Sequence, residues 1–224
     1  MARDNSPKAR QQRDLQRKQG RRASHDRILI ITEGSKTEPL YFQEIRAHYR
    51  LNTASVEVRP SVHGTTPIQV VEYARELFLD GNRHNRVQPR AFEQVYAVFD
   101  RDEHPSYAEA VRRAAALDGT LKNDAGQRVS FHAIASVPSF ELWLLLHFEN
   151  IQAPIHRDDV LRRLRSHLPH YEKGAGQVFA ATRERLATAL QHAQALSQRN
   201  NALTDPKPFT AVGGLVSTLV GLSG

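Results

Sequence analysis

The 224-residue chain lacks cysteine, contains one methionine and one tryptophan, and has no long run of apolar residues. Without cysteine it has no disulfide and no thiolate metal site, so any metal must be held by carboxylates or histidines. A helix that crosses a bilayer needs about 18 or more consecutive apolar residues, so we expect no membrane span. The N-terminus is polar and basic, so we also expect no secretory signal. Together these absences favour a cytoplasmic protein.

Positive charge is concentrated near the N-terminus. Residues 1–27 contain nine Lys or Arg and three Asp, whereas residues 28–224 contain 22 basic and 21 acidic side chains. Residues 1–26 have almost no large apolar side chains and cannot bury enough surface to offset chain entropy, so we expect a disordered basic arm. This arm either contacts nucleic-acid phosphates or serves as a solubilising tail.

Apolar runs alternate with segments of helical periodicity through residues 27–155. The predicted strands are 28–31, 55–59, 95–99 and 129–136, and the predicted helices lie at 36–49, 67–78, 105–117 and just after 139. Such alternation is typical of an α/β fold in which helices flank a mostly parallel central sheet.

Beyond about residue 155 the pattern is helical only. Apolar positions recur with helical spacing at 157–167 and 177–198, and a final apolar helix is predicted at 212–222. We therefore predict an α/β domain over residues 27–155 and a helical extension over 156–224 that packs on the same domain.

Acidic residues follow the first and third predicted strands directly, at Glu33 and at Asp100 and Asp102. Open α/β sheets bind ligands at the carboxyl ends of their strands, so we expect these three side chains to meet at one edge of the sheet. On an extended backbone, Asp-x-Asp would place both carboxylates on one side, about 7 Å apart at the α-carbons. Clustered carboxylates repel one another unless a cation lies between them, which indicates a divalent-metal site for phosphate chemistry.

Several stretches together resemble a Toprim domain, and in particular the RloB-like family of proteins associated with bacterial defence. The stretches that carry the resemblance are 30–42, 98–103, 136–143, 171–174 and 205–210. The last of these reads Asp-Pro-Lys-Pro-Phe-Thr, where the family often has Asn-Pro-Ser-Thr. The resemblance covers roughly residues 27–222 and implies a Toprim-like, Rossmann-like fold.

The resemblance also implies a chemistry. In Toprim proteins the glutamate after the first strand acts as a general acid or base and the Asp-x-Asp pair binds Mg²⁺, which assigns these roles by position to Glu33, Asp100 and Asp102. The implied activity is a Mg²⁺-dependent nuclease, with Mn²⁺ as an alternative ion, that cuts a phosphodiester in DNA or RNA. The family association implies an effector in phage defence.

Further site residues follow from the related Toprim nucleases of the OLD family. In those enzymes acids after the following strand help to hold a second metal, and Glu141 and Ser139 match that location. Lys173 matches a phosphate-binding lysine, although a lysine beside glycine is also typical of a solvated helix end. Glu38 and Glu103 are second-line candidates, and Glu38 is explained equally well as a charge in the first turn of a helix.

Other functions remain open on the sequence alone. A non-catalytic Toprim adaptor would bind nucleic acid or a partner ATPase, and the near-neutral charge of residues 28–224 favours it because a nuclease groove should be basic. A phospho-acceptor receiver domain also has acids at strand ends but is much shorter than this chain. A homo-oligomer is a further open alternative. The eleven histidines show no His-x₃-His on a helix face, so no zinc site is expected.

Deleting residues 1–26 tests the predicted role of the basic arm. If the arm contacts phosphates, the deletion lowers the affinity for an oligonucleotide and flattens the dependence of affinity on salt, because fewer counterions are released. Cleavage of saturating substrate should be largely unchanged, since Glu33, Asp100 and Asp102 are retained. Binding is measured across a salt series, and equal affinities and slopes for the two proteins would leave the arm as a solubilising tail.

Overall fold

In the computed structural model, the described residues are 26–102, 104–204 and 207–223. The predicted basic arm, except Asp26, lies outside them, as do Glu103 and the first two residues of the stretch 205–210. Within this part of the chain, no helix has both the length and the apolar character that a membrane crossing requires.

The described residues form an α/β structure around one mixed sheet of five strands in the order β2-β1-β3-β4-β5. The strands are β1 (Ile28–Thr32), β2 (Val56–Pro60), β3 (Gln94–Asp100), β4 (Ser130–Val137) and β5 (Phe209–Thr210). The first four run parallel, and β5 pairs antiparallel with β4. The predicted mostly parallel central sheet is therefore confirmed.

Helices cover both faces of this sheet. The α-helices of the described residues are α1 (Thr37–His48), α2 (Pro67–Asp80), α3 (Tyr107–Leu117), α4 (Glu141–Leu145), α5 (Arg157–His167), α6 (Val178–Thr182), α7 (Leu186–Ser197) and α8 (Val212–Gly221).

The central strand β1 shows why the layers form. All five of its residues are buried, and its four aliphatic side chains alternate between opposite faces of the sheet. Ile28 and Ile30 belong to one hydrophobic cluster, whereas Leu29 and Ile31 belong to the cluster on the other face. A strand that is apolar on both faces must be covered twice, which is the arrangement of parallel sheets.

The C-terminal helices pack on the same face of the sheet as α1. The cluster that contains Ile30 also contains Trp143 of α4, Leu164 of α5 and Leu215 of α8. The Trp143 indole N–H donates a 2.8 Å hydrogen bond to the Tyr41 hydroxyl, which satisfies the buried polar atoms of both rings. These helices thus share one core with the sheet.

A short strand contradicts the prediction of an exclusively helical C-terminal segment, and one of the predicted helical stretches is divided. Phe209–Thr210 (β5) forms an edge strand beside Ser136 and Val137 of β4. The stretch 177–198, where apolar positions recur with helical spacing, is divided into α6, a 3₁₀ turn at Arg183–Arg185 and α7. A two-residue strand is too short for its side-chain alternation to be recognised in a sequence.

Gly213 provides a test of the packing of α8. A Cβ at this position would lie 3.2 Å from Ala193 Cβ and 3.2 Å from the Trp143 ring, whereas a Cβ at Gly214 would meet no atom within 4 Å. We expect Gly213→Leu to lower the free energy of unfolding by about 1–3 kcal/mol through overpacking. The matched variant Gly214→Leu should be neutral or stabilising by up to about 1 kcal/mol, because leucine favours helix more than glycine does. Urea unfolding measures both, and equal stabilities would contradict the packing.

Candidate metal centre

The order of the strands creates a crevice at the carboxyl ends of β1 and β3. From β1 the chain continues to β2 on one side and later to β3 on the other, so the connections leave in opposite directions at this point. Open α/β sheets bind ligands at such topological switch points. Glu33 directly follows β1 and Asp100 ends β3.

Hydrogen bonds join the two strand ends at this crevice. The backbone N–H of Asp100 donates to Glu33 Oε2 at 2.9 Å, and the backbone N–H of Glu33 donates to the carbonyl of Val98 at 2.9 Å. The carboxylate of Glu33 therefore lies beside the end of β3.

The group of ligand atoms that could hold a metal comprises Glu33, Asp102 and His104. One ligand atom of each lies within 4.8 Å of the others. Two carboxylate oxygens and an imidazole nitrogen form a donor set that fits a divalent cation. Sequence reasoning missed His104, although its position two residues after Asp102 could have suggested it.

The predicted extended Asp-x-Asp geometry is wrong. The strand ends at Asp100, and Asp102 has a positive φ of 35°, in a region that residues other than glycine rarely adopt. Glu33 lies near both carboxylates, but Asp102 is grouped with His104, whereas Asp100 lies near Glu38 and Glu141. Strained backbone of this kind is concentrated at functional sites.

Asp100 lies in the most acidic part of the crevice. Burial raises the pKa of Asp100 well above its usual range, and the charges of Glu38, Glu141 and Glu33 raise it further. The backbone N–H of Phe140 opposes this effect by donating to the carboxylate. The pKa of Glu38 is also raised, by burial and by the charge of Glu141. The predicted ligands Asp100 and Glu141 are therefore close to each other, but they lie outside the compact group of Glu33, Asp102 and His104.

Glu141 is the most completely enclosed acid of the site, with only 3% of its surface exposed. Its Oε2 accepts a 2.7 Å hydrogen bond from the Ser139 hydroxyl, and its Oε1 lies 2.8 Å from Lys173 Nζ and 3.2 Å from the Tyr171 hydroxyl. Burial alone would raise the pKa of Glu141, but the hydrogen bond and charge of Lys173, with the help of Ser139, hold it below its usual value. Glu141 is thus an ionised carboxylate with its own cation.

Two glycines allow the close approach of these side chains. A Cβ at Gly34 would lie 2.0 Å from Glu38 Oε2, so glycine at this position leaves room for that carboxylate beside the end of β1. Gly174 has a φ of +79°, and its Cα lies so near the start of α1 that a Cβ would be 2.7 Å from Lys36 Cβ. Glycine at this position therefore lets the Lys173 segment approach the start of α1 closely.

The carboxyl group of Glu33, at the centre of the site, has a raised pKa. Burial raises the pKa of Glu33 to about 7, the Asp100 N–H partly counteracts the rise, and the charges of Asp102 and Glu38 add to it. A group with a pKa near neutrality can both accept and release protons under physiological conditions.

Arg157 is a second site residue that sequence reasoning missed. It begins α5, and its Nη1 lies 2.6 Å from Asp102 Oδ1. The two residues are 55 positions apart, and no local motif signals their contact. Arg157 also lines a cleft of about 850 Å³ beside the acidic crevice, and Asp102 and His104 line it as well.

The substitution Glu33→Gln tests the electrostatics of the crevice. A carboxyl group whose folded-state pKa is raised from 4.5 to about 7 destabilises the ionised protein. This cost is absent below about pH 4.5, grows as the pH rises and is complete above about pH 7. In chelator, we expect Glu33→Gln to melt at a higher temperature than wild type at pH 8, with the difference shrinking towards pH 5. Glutamine retains an oxygen that can accept from Asp100. A difference that is constant with pH would show that Glu33 does not titrate anomalously.

Comparisons with known proteins bear on this site. Neither the curated proteins nor the solved structures gave a match. A family model described as RloB-like protein matches residues 28–219, a span that contains every residue of the acidic crevice and of the cleft. Because that match covers most of the chain, the protein belongs to the RloB-like family.

Proposed function

We propose that this protein is a Mg²⁺- or Mn²⁺-dependent nuclease that cuts a phosphodiester bond in DNA or RNA and acts as an effector in phage defence. The observation that carries the proposal is the meeting of Glu33 with Asp100 and Asp102 at the switch point of the sheet, in a member of the RloB-like family. Nucleic acid is the proposed partner, and the defence role rests on the family association.

The donor set fits a hard divalent cation. Glu33 and Asp102 offer carboxylate oxygens, which both Mg²⁺ and Mn²⁺ accept. His104 adds an imidazole nitrogen, a ligand that suits Mn²⁺ better than Mg²⁺. Asp100 and Glu141 supply carboxylates for the same ion or for a second one. A divalent cation in this position supplies neutralisation of phosphate charge and activation of water.

The chain's own residues divide the remaining tasks. Glu33, which directly follows β1, acts as the general acid or base that moves a proton to or from the reacting oxygen. Lys173 is held beside Glu141 but is about half exposed, so its ammonium group can also contact a phosphate. Arg157 is similarly exposed and can bind a phosphate oxygen in the same way.

One observation favours the alternative of a non-catalytic adaptor that binds nucleic acid or a partner ATPase. Two of the acids already have cations of the protein itself, since Arg157 pairs with Asp102 and Lys173 pairs with Glu141. Such pairs can stabilise an acidic crevice without any metal. The two proposals differ in one measurable property, because only the nuclease requires a divalent ion for its activity.

The substitutions Asp100→Asn and Asp102→Asn separate these proposals. We expect the purified protein to cut DNA or total RNA with Mg²⁺ or Mn²⁺ and to stop in chelator. Each substitution should slow cutting by at least about 100-fold, the upper figure for groups that merely orient metal ligands. Metal should raise the melting temperature of the wild type, because an ion that binds only the folded state stabilises it. That increase should be reduced in both variants.

Asp80→Asn provides the matched control. Asp80 is exposed at the end of α2, which begins after β2 and runs back towards the opposite edge of the sheet. The Asp80→Asn variant should cut at the wild-type rate, and metal should raise its melting temperature as much as that of the wild type. If wild type cuts nothing and shows no metal-dependent rise in melting temperature, the adaptor is the better account. If the two site variants retain both properties, the assignment of Asp100 and Asp102 is wrong.

A further inference from the structure

A cleft of about 850 Å³ opens next to the candidate metal centre. Its volume falls within the range of about 300–1,000 Å³ that is usual for pockets that enclose small organic groups. Asp102 and His104 line the cleft and also belong to the group that could hold a metal. A ligand in the cleft therefore lies next to the candidate metal centre.

The lining of the cleft combines cations with apolar surface. Arg101 and Arg157 contribute guanidinium groups, and His156 contributes an exposed imidazole at the start of α5. Ala108 of α3 and Ile155 lie among the apolar lining residues. This combination suits a ligand with a phosphate and a flat apolar face.

The position of Arg101 adds a planar surface to this lining. Its guanidinium carbon lies 5.7 Å from the centre of the Tyr107 ring, and the Tyr107 hydroxyl donates a 2.9 Å hydrogen bond to the carbonyl of Ala202. The ring is thereby fixed, and it supports the guanidinium group from one side. Guanidinium planes of this kind stack on unpaired nucleic-acid bases.

We propose that the cleft receives an unpaired nucleotide, so that the substrate is single-stranded nucleic acid or a single-stranded segment of a folded one. The phosphates of this segment lie against Arg157 and His156, and one base packs against Arg101 and the apolar lining. In a duplex each base face is covered by its stacked neighbours, and only base edges and phosphates are accessible. A lining that offers contact to base faces therefore selects for strands whose bases are unstacked. This inference rests on the proposed function, which it extends from nucleic acid in general to one substrate class.

The substitution Ala108→Trp fills the cleft, and Ala115→Trp is its matched control. Both alanines lie in α3, two helical turns apart, and Ala115 is exposed and is not among the cleft-lining residues. A fluorescein-labelled single-stranded oligonucleotide and the same strand in a duplex are titrated in chelator, so that binding is measured without cutting. We expect wild type to prefer the single strand. Ala108→Trp should weaken single-strand binding by about tenfold or more, a loss in the range of one base-stacking contact. Ala115→Trp should bind as the wild type does.

A second pair of variants keeps the test decisive if Ala108→Trp does not fold. His156→Asp adds a negative charge at the edge of the cleft and retains a residue that favours the N-terminus of a helix. His84→Asp makes the same change at an exposed loop position. We expect His156→Asp to lower single-strand affinity severalfold more than His84→Asp does. Equal effects of the two would overturn the cleft proposal.

Cleavage assays with Mn²⁺ on the same substrates separate this proposal from the proposed function. If wild type binds and cuts single strand and duplex equally, and Ala108→Trp changes neither, the cleft proposal is overturned while the nuclease proposal stands. If wild type cuts nothing but Ala108→Trp selectively loses single-strand binding, the nuclease proposal fails and the cleft remains a single-strand site. Preferential cutting of the single strand that is lost in Ala108→Trp and kept in Ala115→Trp supports both.

Discussion

Repulsion among carboxylates at the carboxyl ends of β1 and β3 is the constraint on which the site depends. Burial removes the water that would stabilise each ionised carboxylate, and the charges of the neighbouring acids add to this effect, so the pKa values of Glu33, Glu38 and Asp100 are raised. The fold opposes the repulsion with backbone donors, since the N–H of Asp100 binds Glu33 and the N–H of Phe140 binds Asp100. These donors come from the end of β3 and from the segment before α4, so the backbone around the crevice holds the acids together.

The compensating cations are placed unevenly around this cluster. Arg157 pairs with Asp102, and Lys173 pairs with the enclosed Glu141. Between these two pairs, Glu33 and Asp100 have hydrogen-bond donors but no cation bonded to them among the interactions described above. The centre of the crevice therefore bears an electrostatic cost that a divalent cation would remove, whereas its two ends do not. Stability lost in this way is typical of sites that are built for binding or catalysis rather than for folding.

The sequence alone predicts the position of a site residue when that residue directly follows, or ends, a recognisable strand. An apolar run that ends in charge located both β1 and β3, and the parallel order of the sheet then brought Glu33 to Asp100. His104 and Arg157 could not be found in this way. The positive φ of Asp102 changes the direction of the chain after the strand, and the contact with Arg157 depends on how α5 packs. Both are consequences of tertiary structure, which local periodicity does not encode. Likewise β5 exists only because β4 offers it an edge.

Asp102 connects the metal group to the cleft, and its backbone conformation explains how. On an extended strand its carboxylate would have been placed alongside Asp100, and the acids would have formed one group. The turn at φ +35° instead brings Asp102 to His104 and to Arg157, both of which line the cleft. In the proposed reaction, a phosphate that enters the cleft competes with Asp102 for Arg157, because both are anions within reach of the same guanidinium group. Release of Asp102 from Arg157 increases the negative charge available to a cation beside Glu33. In the proposed reaction, substrate and metal binding would therefore be coupled through this one carboxylate, and each would favour the other.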